Sequence, residues 1–245
     1  MALTDDHILD GRIRLRQRRE GYRAGLDAAL LAAACDARPG DRVLDAGCGV
    51  GAVMLAAAAR IAGASFVGVE NDPAALDLAR ANIAANGVAD RVLVVAGDVD
   101  QPFSRAGLAP FDAALANPPF FDDPSALRGP SPAKRAAWIA GQGLGSWAAF
   151  LLKAVRQGGS ITVIHRADRL AEILALLASG AGSFQIRPVQ PFADAPAKRV
   201  LVRAIKSGKA PLQILPALTL HPPNEAKHTA LTEAVLRGRE ALAWT

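Results

Sequence analysis

The spacing of apolar positions changes repeatedly along this chain, and each change marks an element. From residue 42 onward, compact apolar runs (Val43-Leu44, Ser65 to Val69, Val92 to Ala96, Phe111 to Ala116, Ser160 to Ile164) alternate with longer stretches of helical spacing. Those stretches reach Ile61, then cover Ala74 to Asn86, Trp147 to Arg156 and Arg169 to Ala178, and Phe184 to Val189 with Arg199 to Ile205 supply two last strands. Solidly apolar strands alternating with helices predict an α/β fold whose parallel sheet is covered on both faces. Ahead of this series, Arg12-Ile13-Arg14-Leu15-Arg16 alternates with period two, as an edge strand with outward arginines does, and Leu26 to Ala34 has helical composition. Behind it, Leu212 to Leu220 predicts an extra strand and Asn224 to Trp244 a short closing helix, while Gly158-Gly159 predicts a turn. We therefore expect a basic arm and helix over residues 1–40, packed on one α/β domain over 41–245 with a C-terminal strand and helix extension.

Polar residues matter most where the apolar runs stop, because ligands of an open parallel sheet bind at the carboxyl ends of its strands. The first run leads into Asp45-Ala46-Gly47-Cys48-Gly49-Val50-Gly51, where missing side chains let backbone approach a ligand in front of a helix amino end. The second closes with Glu70-Asn71-Asp72, whose acid can accept both hydroxyls of a ribose, and the third leads to Gly97-Asp98-Val99, where an adenine amino group could be received. A nicotinamide cofactor fits part of this pattern, but the glycine spacing is GxGxG and not the GxGxxG of a pyrophosphate-binding turn. Asp45 adds a carboxylate able to neutralise an amine or a sulfonium. The fourth run stops at Asn117-Pro118-Pro119-Phe120, since proline cannot continue a strand ladder. The Asn117 amide oxygen and Pro118 carbonyl are adjacent acceptors and Phe120 offers a flat face, which together make a clamp for an exocyclic amine on a planar ring. Taken alone, the phrase describes a tight loop with a buried phenylalanine just as well.

Composition narrows the setting. The chain has 245 residues, 51% of them hydrophobic, enough for a full core. No apolar run is long enough to span a bilayer and the amino terminus lacks signal-peptide order, so a cytoplasmic protein without membrane association is expected. Cys35 and Cys48 are too few for a disulfide framework, the histidines are scattered, and no metal is implied. Gly11 to Arg23 sets six arginines against Glu20, a surplus that matches the whole chain's formal charge of +5. A second basic stretch holds Lys198, Arg199, Arg203, Lys206 and Lys209. Such segments are solvated faces or phosphate contacts; in the second case Arg16, Arg18, Arg19, Lys198 and Arg199 are the RNA-binding candidates. His165, which closes the fifth run, could face the pocket but reads first as a capping or solvated histidine.

The ordered series Asp45-x-Gly47-x-Gly49, Glu70, Asp98 and Asn117-Pro118-Pro119-Phe120 resembles class I S-adenosylmethionine-dependent methyltransferases. The resemblance implies a single Rossmann-like, seven-stranded sheet, mostly parallel with an antiparallel last strand and helices on both faces. It also implies S-adenosyl-L-methionine as cofactor, contacted by Asp45, Gly47, Cys48, Gly49, Gly51, Glu70, Asn71, Asp98, Val99 and Asn117, with Asn117, Pro118 and Phe120 as catalytic residues. Gly21-Tyr22-Arg23-Ala24-Gly25-Leu26-Asp27, Asn117 to Phe121 and the ending His228 to Trp244 look like the bacterial tRNA(Val) adenine-N6 methyltransferase family. That implies adenine N6 in tRNA as acceptor and a monomer or weak dimer. Enzymes with the same clamp modify guanine N2 of ribosomal RNA or glutamine of release factors. Another planar amine, including a small molecule, therefore stays open, as does a non-catalytic module that binds cofactor or RNA.

Overall fold

The computed structural model describes residues 2–19, 25–120, 143–223, 225 and 227–245. Gly21 to Ala24, Phe121 and Asn224, which entered the expectations above, lie outside the described residues. The chain opens with an antiparallel hairpin, β1 (Leu3–Ile8) and β2 (Ile13–Arg18), in which Asp5 stands opposite Arg16. Along β2, Ile13, Leu15 and Gln17 are buried while Arg14 and Arg16 face solvent, as the period-two alternation predicts. Its partner β1 carries two aspartates and little apolar signal, so the hydrophobic pattern does not mark it. The amide side chains of Asn82 and Asn86 hold the other edge of β2. Asn82 accepts from Arg16 N–H (2.8 Å) and donates to its carbonyl (3.0 Å), and Asn86 does the same for Arg14 (2.9 and 2.7 Å). Two residues four apart on one helix thus replace a neighbouring strand.

After α1 (Leu26–Ala33) the alternation begins: β3 (Arg42–Ala46), α2 (Ala52–Arg60), β4 (Ser65–Glu70), α3 (Pro73–Ala85), β5 (Val92–Ala96) and β6 (Phe111–Ala116). It continues through α4 (Gly143–Ala154), β7 (Val155–Arg166), α5 (Leu170–Leu177), β8 (Ala181–Gln190) and β9 (Arg199–Lys206). In space these long strands run β8-β9-β7-β6-β3-β4-β5, all parallel except β9, which is antiparallel to both neighbours. Among the described residues the sheet has nine strands and not seven, because β10 (Gln213–Ile214) and β11 (Leu218–Thr219) both pair parallel with β8. The extra strand expected over Leu212 to Leu220 is therefore interrupted, and Pro216 between its halves has no N–H to donate.

Two other boundaries differ from expectation. The helix expected to reach Arg156 stops at Ala154, and Gly158-Gly159 lies inside β7 at a register shift against β6. Gly158 has φ +75°, and a side chain at Gly159 would collide with the Asp112 carbonyl, so two glycines turn the expected reversal into a bulge. The closing helix is α6 (Ala230–Leu236) only; beyond it Leu242 N–H and Trp244 Nε1 bond the Ala33 and Ala34 carbonyls, each at 2.8 Å. Alternate residues of β3 divide the core: Val43 packs with α1 and α2, Leu44 with Phe150 and Leu151 of α4. Both faces of the sheet are thereby buried, leaving its carboxyl edge for ligands.

Candidate active site

β3 lies between β4 and β6, where the chain order reverses direction, and its carboxyl end delivers the glycine loop into the resulting crevice. Gly47, Gly49 and Gly51 all have positive φ (+63°, +55° and +88°). A side chain at Gly49 would meet nothing within 4 Å, whereas one at Gly47 would overlap the Trp147 indole. The carboxylates around the loop are held by backbone amides. Glu70 accepts from Gly49 (2.8 Å), Asn71 (2.9 Å) and Asp72 (2.8 Å); Asp98 accepts from Asp100 (2.9 Å); Asp45 accepts from Met54 in the first turn of α2 (3.1 Å). Asp45 is 1% exposed, and burial, with Glu70's charge adding to it, lifts its pKa to about 7. The Cys48 thiol packs where a Gly68 side chain would stand, so only the Cys48 backbone remains for a ligand. Asn71 follows Glu70 at the surface and Val99 is buried behind Asp98. Open space at Gly49 beside Glu70, with Asp98 past the end of the next strand, suits a ligand carrying hydroxyl and amino donors.

On the other side of β3, the end of β6 presents a half-buried Asn117, a buried Pro118 and the ring of Phe120. Phe120 meets His165 edge to face, with ring centroids 4.9 Å apart, and the Arg199 guanidinium lies 4.5 Å from its ring centre. His165 is neither capping nor solvated: it is 4% exposed, and its ring hydrogen-bonds the Pro119 carbonyl, the sole hydrogen-bonding group of a proline backbone. Among the described residues its Nδ1 has no partner, which places the donated proton on Nε2. Burial, reinforced by the nearby Arg199 charge, lowers its pKa to about 4, so it is neutral at pH 7.

Arg199 starts β9 opposite Arg166 at the end of β7, hence on the carboxyl edge, and pairs with Asp27 at 3.1 Å. Exposed Lys198 adjoins it. The rest of that basic stretch leads away from the site: Arg203 pairs with Asp36, and Lys206, at the amino edge, donates to the Leu152 and Val155 carbonyls. In the hairpin, Arg16 pairs with Asp5 (2.8 Å) and Arg18 with Asp72 (3.6 Å), while Arg19 is exposed. Arg18 thereby sits two residues from Glu70. Among the described residues no cluster of His, Cys, Asp and Glu could hold a metal, and no helix is long and apolar enough to cross a membrane.

Residues 23–128 match the family described as Methyltransferase small domain. The fold superposes on the crystal structure of a predicted O-methyltransferase from Agrobacterium tumefaciens with TM-score 0.75, 27% identity, and coverage of 89% of this chain and 98% of that one. Its fold is that of the S-adenosylmethionine-dependent methyltransferases. Among curated methyltransferases, the tRNA1(Val) (adenine(37)-N6)-methyltransferase of Porphyromonas gingivalis is 39% identical over 105 residues, covering 40% of this chain and 41% of the relative. A release factor glutamine methyltransferase of Chlorobaculum tepidum is 30% identical over 167 residues, 64% of this chain and 56% of the relative. The chain thus spans about half the length of these curated relatives.

Within this methyltransferase fold, three neighbours of the candidate residues escape sequence reasoning. Trp147 covers Gly47 from α4, Asp27 holds Arg199 from α1, and His165 buttresses the Phe120 loop from β7. Each reaches its partner from a distant segment, and none is marked by local spacing.

Proposed function

We propose that this chain is an S-adenosylmethionine-dependent N-methyltransferase acting on adenine N6 of an RNA, with tRNA as the foremost candidate. The observation that carries it is the Asn117-Pro118-Pro119-Phe120 loop at the carboxyl end of β6, with Phe120 fixed between His165 and Arg199. The Asn117 amide oxygen and the Pro118 carbonyl accept the two protons of the exocyclic amine. Their pull draws its lone pair out of conjugation and makes nitrogen the nucleophile, while Phe120 stacks on the ring. Positive charge that grows on the nitrogen is met by these preoriented dipoles, so no strong base is needed. When bound, S-adenosylmethionine supplies a methyl carbon made electrophilic by its sulfonium.

Glu70 and Asp98 accept from the cofactor's ribose and adenine, Asp45 lies behind its amino-acid end, and the amides of Gly47 through Gly51 line its path, with Asn71 and Val99 as flanking contacts. Lys198 meets an RNA phosphate and Arg199 contacts the RNA beside it at the acceptor side, with Arg16, Arg18 and Arg19 at the cofactor side. The Porphyromonas relative supports the adenine reading; the longer match to a glutamine enzyme supports a second one, a protein amide in the same clamp. Incubation with methyl-labelled cofactor and, separately, total tRNA, ribosomal RNA and release factor separates them. Label in tRNA is expected; label in release factor alone would transfer the clamp to glutamine.

A further inference from the structure

Between the first residues of α1 and the ends of β8 and β9 lies a cavity of about 320 Å³. Its walls are apolar, from Leu26, Val189, Pro191 and Leu220, and its polar side is the Asp27–Arg199 pair. The volume falls in the lower range of small-ligand sites, room for one planar heterocycle. What connects it to the clamp is Arg199, which both lines the cavity and lies 4.5 Å over Phe120, so that a guanidinium plane and the Phe120 ring stacked on it separate the two sites. Neighbouring bases of an unstacked single strand are received on such guanidinium planes as well as on aromatic rings.

We propose that this cavity holds the nucleobase adjacent to the methylated one, with the Arg199–Phe120 stack between the two bases and Arg199 on the cavity side. The proposal rests on the RNA reading of the clamp. Apolar walls take the base faces. The Asp27 carboxylate can only accept, so it selects an edge bearing an exocyclic amine, as in adenine, cytosine or guanine, over uracil with its two carbonyls. Exposed Lys198, also on the lining, stands where the linking phosphate leaves. A short acidic peptide would satisfy Lys198 and Arg199 but would waste the flat apolar walls.

The test uses the full chain and unstructured oligoribonucleotides containing one adenine, varied only in the base before or after it, with binding followed by fluorescence anisotropy and transfer by methyl label. The wild type should prefer amine-bearing neighbours over uracil on one side by about tenfold, the lower end of what one base-edge hydrogen-bond contact discriminates. Leu220→Trp, which fills the cavity, and Asp27→Asn, which can both donate and accept, should each erase that preference while cofactor affinity is kept. Asp27→Asn carries the test if Leu220→Trp does not fold. Equal handling of all neighbours by the wild type, or an undiminished preference in both variants, overturns the inference and leaves the clamp standing. Absence of binding and transfer with every oligonucleotide overturns the RNA reading and the inference together.

Discussion

The two sides of the carboxyl edge are built differently. On the β3-β4-β5 side the strand ends and the glycine loop carry three carboxylates, each held by amides of nearby backbone: Glu70 by Gly49, Asn71 and Asp72, Asp98 by Asp100, Asp45 by Met54. On the β6-β7-β9 side the groups are a neutral imidazole and cations, and they are held by side chains and carbonyls from distant segments: His165 by Pro119 and Phe120, Arg199 by Asp27 and Phe120. A pocket for an invariant ligand can be written in a few contiguous residues. A pocket for a variable acceptor is assembled from remote ones, which can change without disturbing the first.

The most direct challenge to this division is to remove the clamp residue at the end of β6. Asn117→Ala should lower methyl transfer by about 10²–10³-fold, the usual cost of deleting one preorganised polar group at a centre of developing charge. Cofactor affinity, set by the other side, should change less than twofold in calorimetry. A variant that keeps near wild-type turnover would show that Asn117 only ends the strand.

The two sides also respond oppositely to acid. The imidazole of His165 titrates near 4 in the folded chain against 6.5 when free, so the unfolded state takes up a proton first and stability falls as pH drops from 6.5 to 4. Asp45 titrates near 7 against 3.8, so the folded state keeps a proton that the unfolded state releases, and stability falls as pH rises from 3.8 to 7. Each amounts to about 3–4 kcal/mol over its window, and between pH 4 and 6.5 they nearly cancel. Asp45→Asn should therefore convert a flat profile into one that rises with pH, seen in urea denaturation at pH 4.5, 5.5 and 6.5. A profile unchanged by the substitution would mean that Asp45 is ionised in the folded chain.

Glu70→Ala comes next, at about 1.5–3 kcal/mol of cofactor affinity, the range for a charge-assisted hydrogen bond. Glu70 also ties Gly49 to the end of β4, so part of the effect should be loop disorder and not a missing bond to the ligand. Glu70→Gln, which keeps one acceptor, should fall between the two. Equal affinity in wild type and Glu70→Ala would remove this carboxylate from the cofactor site.

The same contrast explains which residues are legible in the sequence. Asp45, the glycines, Glu70, Asp98 and Asn117 stand out because each sits where an apolar run ends, and a strand end is visible as a change of pattern. The order and direction of the long strands follow from the same alternation and its resemblance. His165 reads wrongly as capping or solvated because a histidine after five strand residues looks the same whether its loop is open or covered by Phe120. Asp27, Trp147 and Asn82 carry no signal without their partners Arg199, Gly47 and Arg16. The basic stretch from Lys198 to Lys209 misleads for a plainer reason: a strand crosses the whole sheet, so its first cation is at the carboxyl edge and Lys206 at the opposite one.

The smallest expected effect concerns whether the hairpin joins the acceptor side. Removing one cation that binds phosphate in a single-stranded site should flatten the salt dependence of binding by about 0.7. Arg16→Ala, Arg18→Ala and Arg19→Ala combined would then flatten it by about 2 if all three were committed to phosphate. Yet Arg16 already pairs with Asp5 and Arg18 with Asp72, and a cation neutralised by a carboxylate gathers less of the RNA's counterion release. The triple variant should therefore flatten the slope by about 1 or less, while Lys198→Ala, a single change, should flatten it by about 0.7. With tRNA affinity measured across a salt series, a change near the full value for three cations would make the hairpin a principal RNA contact released from its aspartates. An unchanged slope would confine RNA to the Arg199 side, so that the carboxylate side served the cofactor alone.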